Sequence, residues 1–263
     1  MTLFVTGSNG FVGKNLINSL RDDAIEIVEI KRHDKDNKQL NFDLRNFNSI
    51  VKDEDWVIHL AWDMNERKRK KSYFVNVEGT KNFLNKLSSD IRSRTIYLSS
   101  LSADKNSKSV YGYHKHLIEE EILHFGGKVI RAAIVCDKNL EEGFVGKLKK
   151  LAMSFKVLPN FWGKSPVFQI TYIDDIVLNI KNIIQEKETN AVSNVFSSEP
   201  LNFKSLILKI TNKSPVLIRL PWSLGYLFLK ITELFGVSIG VSSDSILSLH
   251  PKTNIFRMKK MTK

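Results

Sequence analysis

Residues 6–13 read Thr6-Gly7-Ser8-Asn9-Gly10-Phe11-Val12-Gly13, directly after the apolar run Leu3-Phe4-Val5. That run has the length of one buried strand, and the residues that follow, Val12 to Ile17, take up a helical period. A glycine-rich turn between a strand and a helix is the geometry that receives a dinucleotide. Gly7 allows the tight turn, Gly10 lets the backbone approach a pyrophosphate, and Gly13 permits close packing of helix on strand. Ser8, Asn9, Phe11 and Val12 complete the loop, and the helix start presents free N–H groups to phosphates. The strand before and the helix after are the context that separates this pattern from a chance glycine triplet.

Working outward, short apolar runs alternate with helical stretches. Strands are expected at 3–6, 25–30, 56–61, 95–99 and 129–135, with helices from Val12, over 74–87 and over 111–123. This alternation predicts an α/β fold with a doubly wound parallel sheet covered on both faces, a Rossmann architecture. Beyond about residue 140 the alternation loosens and prolines punctuate the chain. Strands at 168–172 and 194–196 and helices at 174–185, 203–211 and 222–235 are expected there. The simplest account is a dinucleotide-binding domain over 1–160 and a small, interwoven C-terminal substrate lobe over 161–263, with a strand and a helix returning to the sheet.

Composition narrows the class. The chain has 263 residues and one cysteine, Cys136, so it forms no internal disulfide and no cysteine-based metal cluster. No basic leader precedes the first strand, and no uncharged apolar run reaches about 18 residues. A cytoplasmic protein with no metal and no integral membrane segment is expected. The most apolar stretch, 220–241, contains Lys230 and Glu233 and reads as a core or substrate-lobe helix rather than a membrane-surface one. A net charge of +12 suits anionic partners, but it is read here as a lysine-rich surface, and no nucleic-acid partner is expected. Glu66-Arg67-Lys68-Arg69-Lys70-Lys71, the sharpest charge run, reads as a solvated loop, the alternative being a rim that steers anions.

The chemistry is carried by Tyr111-Gly112-Tyr113-His114-Lys115. On a helix, residues four apart share a face, so Tyr111 and Lys115 meet. A tyrosine hydroxyl, with an ordinary pKa of about 10, is a poor base at neutral pH, and a neighbouring ammonium is expected to lower it. Such a tyrosine exchanges a proton with an alcohol or ketone oxygen while a hydride moves. Ser100, eleven residues upstream in Tyr97-Leu98-Ser99-Ser100-Leu101-Ser102, would hold that oxygen. Tyr113 is the rival acid, but it lacks the four-residue pairing with Lys115. His59, on an apolar strand, reads as a packed core histidine. After strand two the sequence continues Lys31-Arg32-His33-Asp34. Dehydrogenases that prefer NAD carry an acidic residue at the position held by Lys31, whereas Lys31 and Arg32 suit the 2′-phosphate of NADP. NADP is favoured on this ground, with NAD left open because Asp34 and Asp36 lie close by.

Taken in order, these motifs resemble the extended and atypical members of the short-chain dehydrogenase/reductase superfamily, specifically the NAD-dependent epimerase/dehydratase family. Asn41-Phe42-Asp43-Leu44 resembles the family's adenine-contacting pair, Asp43 and Leu44. Val57-Ile58-His59-Leu60-Ala61 resembles its fourth-strand signature, so that Leu60, Ala61 and the following Trp62 border the nicotinamide side. Asn76-Val77-Glu78-Gly79-Thr80 resembles the helix under the active site, adding Asn76 to the cofactor set, and Tyr172-Ile173-Asp174-Asp175 resembles the start of a supporting helix. The resemblance further implies that Lys115 binds the nicotinamide ribose, that a nucleotide-sugar is the substrate, and that a homodimer is possible. Reduction of a 4-keto sugar and 4-epimerisation both stay open. Dehydration is disfavoured, because Ser100-Leu101-Ser102 lacks the two carboxylates that sugar-nucleotide dehydratases carry there. The Ser100–Tyr111 connection is also shorter than in the family's epimerases. Two other readings remain: a reductase of a hydrophobic alcohol or ketone, and a non-catalytic dinucleotide-binding module.

Overall fold

The computed structural model describes residues 1–20, 25–30, 52, 54–64, 69–160, 167–234 and 242–248. Its centre is a six-stranded, all-parallel sheet. β1 (Thr2–Thr6), β2 (Glu26–Ile30), β3 (Trp56–His59), β4 (Thr95–Ser100), β5 (Lys128–Ala132) and β9 (Val192–Val195) lie in the order β2-β1-β3-β4-β5-β9. Parallel strands need crossovers, and burial on both faces explains why these strands are near-continuous apolar runs. The α/β, Rossmann-type expectation holds.

The crossovers are helical: α1 (Phe11–Leu20), α2 (Arg69–Ser72), a π-helical segment (Tyr73–Glu78), α3 (Gly79–Asn85), α4 (Ser89–Ser93) and α5 (Val110–His124). Helices α2 and α3 run continuously through the π segment, so the helix expected over 74–87 starts earlier, at Arg69. Leu16 and Leu20 of α1, and Ile118 and Ile122 of α5, are fully buried. α7 (Ile173–Ile184) packs beside α1 and the β5–β9 edge, burying Ile173, Ile176, Val177, Ile180 and Ile183 along one stripe. Asp174 and Asp175 sit in its first turn, where the helix dipole favours negative charge.

Two of the expected strands end sooner than their apolar runs. The run at 129–135 splits into β5 and β6 (Ile134–Cys136), because the Ala133 N–H leaves the ladder and donates to Thr171 Oγ1 at 2.9 Å. β3 stops at His59, since the Leu60 N–H turns to the Thr6 carbonyl at 3.3 Å and the Ala61 N–H to Thr6 Oγ1 at 3.3 Å.

The chain divides into two compact units. The first comprises the described residues of Met1–Asn106, Val110–Ala132 and Ile173–Val195, with a core that includes Phe4, Val57, Phe83, Leu84, Tyr97 and Ile118. The second comprises the described residues of Ser107–Ser109, Ala133–Tyr172 and Phe196–Lys263. It contains β6 paired with β8 (Ile170–Tyr172), and β7 (Val157–Asn160) paired with β10 (Val216–Arg219). Its helices are α6 (Gly143–Ser154), α8 (Phe203–Thr211), α9 (Trp222–Leu234) and α10 (Ser243–Ser248). Phe168, Ile170, Phe203 and Leu206 lie in its core, and Asn202 caps α8 by accepting from the Ser205 N–H at 2.8 Å. Helix α6 and strands β7 and β10 were not anticipated. The strands are four residues each, below the length at which alternation is legible.

Leu16 of α1 is fully buried. Leu16→Ala should lower the unfolding free energy by about 2–5 kcal/mol in urea titration. A loss well under 1 kcal/mol would show that α1 is not packed as described.

Candidate active site

The glycine turn is built on backbone contact. Gly7 has φ +72°, and a Cβ there would lie 2.7 Å from the Ala61 nitrogen. At Gly13 a Cβ would overlap the Gly7 carbonyl oxygen and fall 2.7 Å from the Ser8 Cα. The Gly10 N–H donates to the Gly7 carbonyl at 3.0 Å, closing the turn. Toward the outside the crowding ends: Asn9 and Gly10 are exposed, and the nearest atom to a Cβ on Gly10 is the Gly7 oxygen at 3.2 Å. The first-turn N–H groups of α1, around Phe11 and Val12, have no carbonyl of their own helix to meet. A dinucleotide pyrophosphate fits this open, N–H-lined cradle. Ser8 is buried within the turn.

Beneath the turn, His59 is fully buried and spans three elements. Its Nδ1 lies 2.9 Å from Thr6 Oγ1 and its Nε2 3.0 Å from Thr80 Oγ1, and its ring stacks on Phe83 and Tyr97. Burial, with Lys115 second, lowers its pKa to about 3. It is the packed, neutral core histidine expected.

Next to it, the end of β3 is held by Asn76. The Asp63 N–H donates to Asn76 Oδ1 at 2.8 Å, and Asn76 Nδ2 donates to the Asp63 carbonyl at 3.2 Å and to Ser72 Oγ at 3.3 Å. Asn76 therefore fixes the segment that carries Leu60, Ala61 and Trp62. Ser72 Oγ also lies 3.1 Å from His114 Nδ1, which ties the end of α2 to α5. Burial, and then the Arg69 charge, lowers the His114 pKa to about 4.

The folded chain brings Ser100, Tyr111 and Lys115 together. Ser100 ends β4, and its hydroxyl hydrogen-bonds that of Tyr111. Ser100 Oγ also accepts from the Ser102 N–H at 3.1 Å and lies 3.0 Å from Ser102 Oγ. Lys115 is buried: Nζ donates to the Leu98 carbonyl at 2.8 Å and sits over the rings of Trp62, Tyr97 and Tyr111 at 4.4, 4.6 and 5.8 Å. Trp62 meets Tyr111 edge-on at 5.3 Å. Lys115 is thus enclosed by three aromatic faces, an arrangement that attracts a cation but hydrates it poorly.

The electrostatics differ from the sequence reading in one respect. Burial pushes the Tyr111 hydroxyl up to about 12, and the Ser100 hydrogen bond opposes this. The expected depression by Lys115 is absent, because burial lowers the Lys115 ammonium itself to about 7, with Glu119 pulling the other way. Glu119, four residues along α5, is paired with Arg131 of β5 through two hydrogen bonds, Nε to Oε1 at 2.9 Å and Nη2 to Oε2.

Among the described residues, no cluster of His, Cys, Asp and Glu is arranged to hold a metal. Lys31, Arg32, Asp43 and Leu44 lie outside the described residues. Tyr97 and Ser102 were not singled out from sequence. Tyr97 reads as one more apolar strand residue, and Ser102 stands beside two other serines, so only the fold reveals which oxygens and rings converge.

A sequence model of the NAD dependent epimerase/dehydratase family matches residues 3–141, just over half of the chain. The chain belongs to that family. A curated relative of this family member is the UDP-2-acetamido-2,6-beta-L-arabino-hexul-4-ose reductase of Pseudomonas aeruginosa, 26% identical over 205 residues that make up 73% of this chain and 52% of the relative. The chain thus spans about half the length of the curated relative it matches. Among solved structures, UDP-glucuronic acid 4-epimerase from Bacillus cereus, in complex with NAD, superposes with TM-score 0.64 at 20% identity, covering 98% of each chain. The dTDP-4-dehydrorhamnose reductase of Bacillus anthracis, in complex with NADP, superposes with TM-score 0.62 at 15% identity, covering 94% of this chain and 97% of its own. These likenesses extend the family's fold over nearly the whole chain.

Two predictions follow from this geometry. Gly13→Ala should abolish measurable dinucleotide binding in titration calorimetry, because the turn must open to admit the methyl group; unchanged affinity would disprove the cradle. The second concerns acid. His59 and His114 have folded pKa values of about 3 and about 4, below the ordinary 6.5. The unfolded chain therefore takes up protons that the folded chain refuses, so stability is full above 6.5 and is lost as pH falls below it. The slope is at most about 1.4 kcal/mol per pH unit for each histidine. Thermal unfolding between about pH 7 and pH 5 should show a falling Tm, with a shallower slope in His114→Asn. An identical slope in that variant would count against a neutral buried His114.

Proposed function

We propose that this protein is an NAD(P)-dependent oxidoreductase or epimerase acting on a nucleotide-activated sugar, by 4-keto reduction or 4-epimerisation, in a reducing, cytoplasmic setting. The observation that carries the reading is the hydrogen-bonded pair of Ser100 and Tyr111 with Lys115 one helical turn further on. The substrate class is supported by the relatives, whose names describe enzymes of UDP- and dTDP-linked sugars.

When bound, the nicotinamide supplies the hydride acceptor or donor. The chain's own residues do the rest. The α1 N-terminus and the turn at Gly7, Gly10 and Gly13 bind the phosphates, while Trp62 and the β3 end border the nicotinamide side. Ser100 holds the reacting sugar oxygen. Tyr111 gives its proton to that oxygen as it becomes an alkoxide, or takes one from the hydroxyl in the reverse direction. A phenol near 12 keeps its proton at neutral pH and can yield it to an alkoxide, a stronger base, but it works as a base itself only once a cation reaches it. Lys115, whose ammonium burial lowers to about 7, supplies that cation when ribose hydroxyls and substrate oxygens replace part of its lost hydration. NADP is the preferred cofactor, on the cations Lys31 and Arg32.

Mass spectrometry of nucleotides released on denaturation, followed by titration with NADPH and NADH, tests the cofactor. Retained NAD supports epimerisation, an empty protein that binds NADPH supports reduction, and binding of neither refutes the proposal. With a UDP-4-keto sugar, Tyr111→Phe should lower kcat by about 10²–10⁴-fold while dinucleotide affinity stays within a few-fold. Unchanged kcat would remove Tyr111 from the role of acid.

A further inference from the structure

Among the described residues, the excess of positive charge lies in one unit. The described residues of Ser107–Ser109, Ala133–Tyr172 and Phe196–Lys263 carry 11 Lys and Arg against 6 Asp and Glu, a net +5. The described residues of the first unit, with 15 against 15, are balanced. The same basic unit carries apolar side chains turned to solvent. Helix α9 buries Gly225 and Leu229 on one face, and the opposite face presents Leu224, Leu227, Phe228, Ile231 and Leu234, all between 46% and 83% exposed. Their spacing of three and four residues makes a continuous stripe about 120° wide. Just before it, the two-stranded sheet of β7 and β10 buries Leu158 and leaves Val157, Val216 and Ile218 exposed at 42–61%. Of the stretch 220–241, read as a core or substrate-lobe helix, α9 has the expected apolar periodicity, and its stripe faces outward.

An exposed apolar patch of this extent marks an interaction surface. We infer that α9, with the outer face of the β7–β10 sheet, docks on an anionic phospholipid surface. A bilayer supplies the two things this unit complements at once, hydrocarbon for the stripe and negative headgroups for the cations. Lys213, Arg219 and Lys230, all exposed, bracket the apolar residues, and α6 and α8 add exposed Lys147, Lys150 and Lys209. Nucleic acid would use the cations but has no use for a stripe of leucine, isoleucine and phenylalanine. With 13 residues, α9 is too short to cross a bilayer, and no described helix is long and apolar enough to do so. It would lie in the interface plane, apolar face down.

The test is flotation of the full-length protein with vesicles of phosphatidylcholine alone, and with vesicles in which a third is replaced by phosphatidylglycerol. Association with the anionic vesicles only, weakened by high salt, is expected. Leu227→Asp and Ile231→Asp, at positions 55% and 46% exposed among the described residues, should each reduce the bound fraction by about tenfold or more. Dinucleotide binding and circular dichroism should stay unchanged in both, which separates loss of docking from loss of fold. No association with anionic vesicles, or association that ignores both substitutions, overturns the inference. A dimer that both substitutions dissociate, with no vesicle association, would assign the stripe to a second copy of the chain and equally overturn it.

Discussion

The backbone of Gly7 lies against the backbone of Ala61, and the backbone of Gly13 lies against that of Gly7 and Ser8, with no side chain between them. These contacts set the distance between β1 and the end of β3, and they bring α1 down onto the sheet with its N–H groups facing outward. The hydroxyl of Thr6, the last residue of β1, receives the Ala61 N–H and lies 2.9 Å from the His59 ring. His59 in turn reaches Thr80 of α3. One tight turn therefore locates strand, strand and two helices, and a methyl group at either glycine would disturb all of them. The binding cradle and the hydrophobic packing have a common geometric origin.

Burial dominates the chemistry of the site. A tyrosine and a lysine four residues apart on a helix suggest an ion pair that activates the tyrosine, yet both groups are enclosed by aromatic rings. Removal of water favours the neutral form of each, so the Tyr111 hydroxyl rises to about 12 and the Lys115 ammonium falls to about 7. The aromatic faces of Trp62 and Tyr97 and the Leu98 carbonyl return part of what Lys115 loses, and Glu119 returns more at one remove. Glu119 is itself tied to Arg131 on β5, which secures α5 against the sheet behind the site. Such a site is tuned by whatever binds in it, because each added oxygen near Lys115 shifts the balance of charge toward the ammonium.

The distribution of charge separates two ways of holding an anion. The described residues of the first unit carry no net charge, and the oriented N–H groups at the start of α1 would act on an anion at short range and with fixed geometry. The described residues of the second unit carry an excess of cations, among them exposed Lys147, Lys150, Lys209, Lys213, Arg219 and Lys230, whose effect is diffuse and sensitive to salt. A whole-chain charge of +12 conceals this division.

The strand–turn–helix at Thr2–Leu20, the parallel sheet, the tyrosine–lysine helix and the neutral reading of His59 were legible from residues alone, because each rests on a local rule: glycine at a close approach, apolar runs of strand length, or four-residue helical spacing. Family membership followed from the order of those motifs. Other features depend on residues far apart in the chain. Thr171 draws the Ala133 N–H out of the ladder and splits one apolar run into two strands. Tyr97, Trp62 and Tyr111 converge on one ammonium only in the fold, and their burial reverses the pKa shift that the Tyr111–Lys115 spacing implied. The period of α9 showed an amphipathic helix, but periodicity records that an apolar face exists, not which way it points. Only tertiary packing, by burying Gly225 and Leu229 instead, turned that face to solvent.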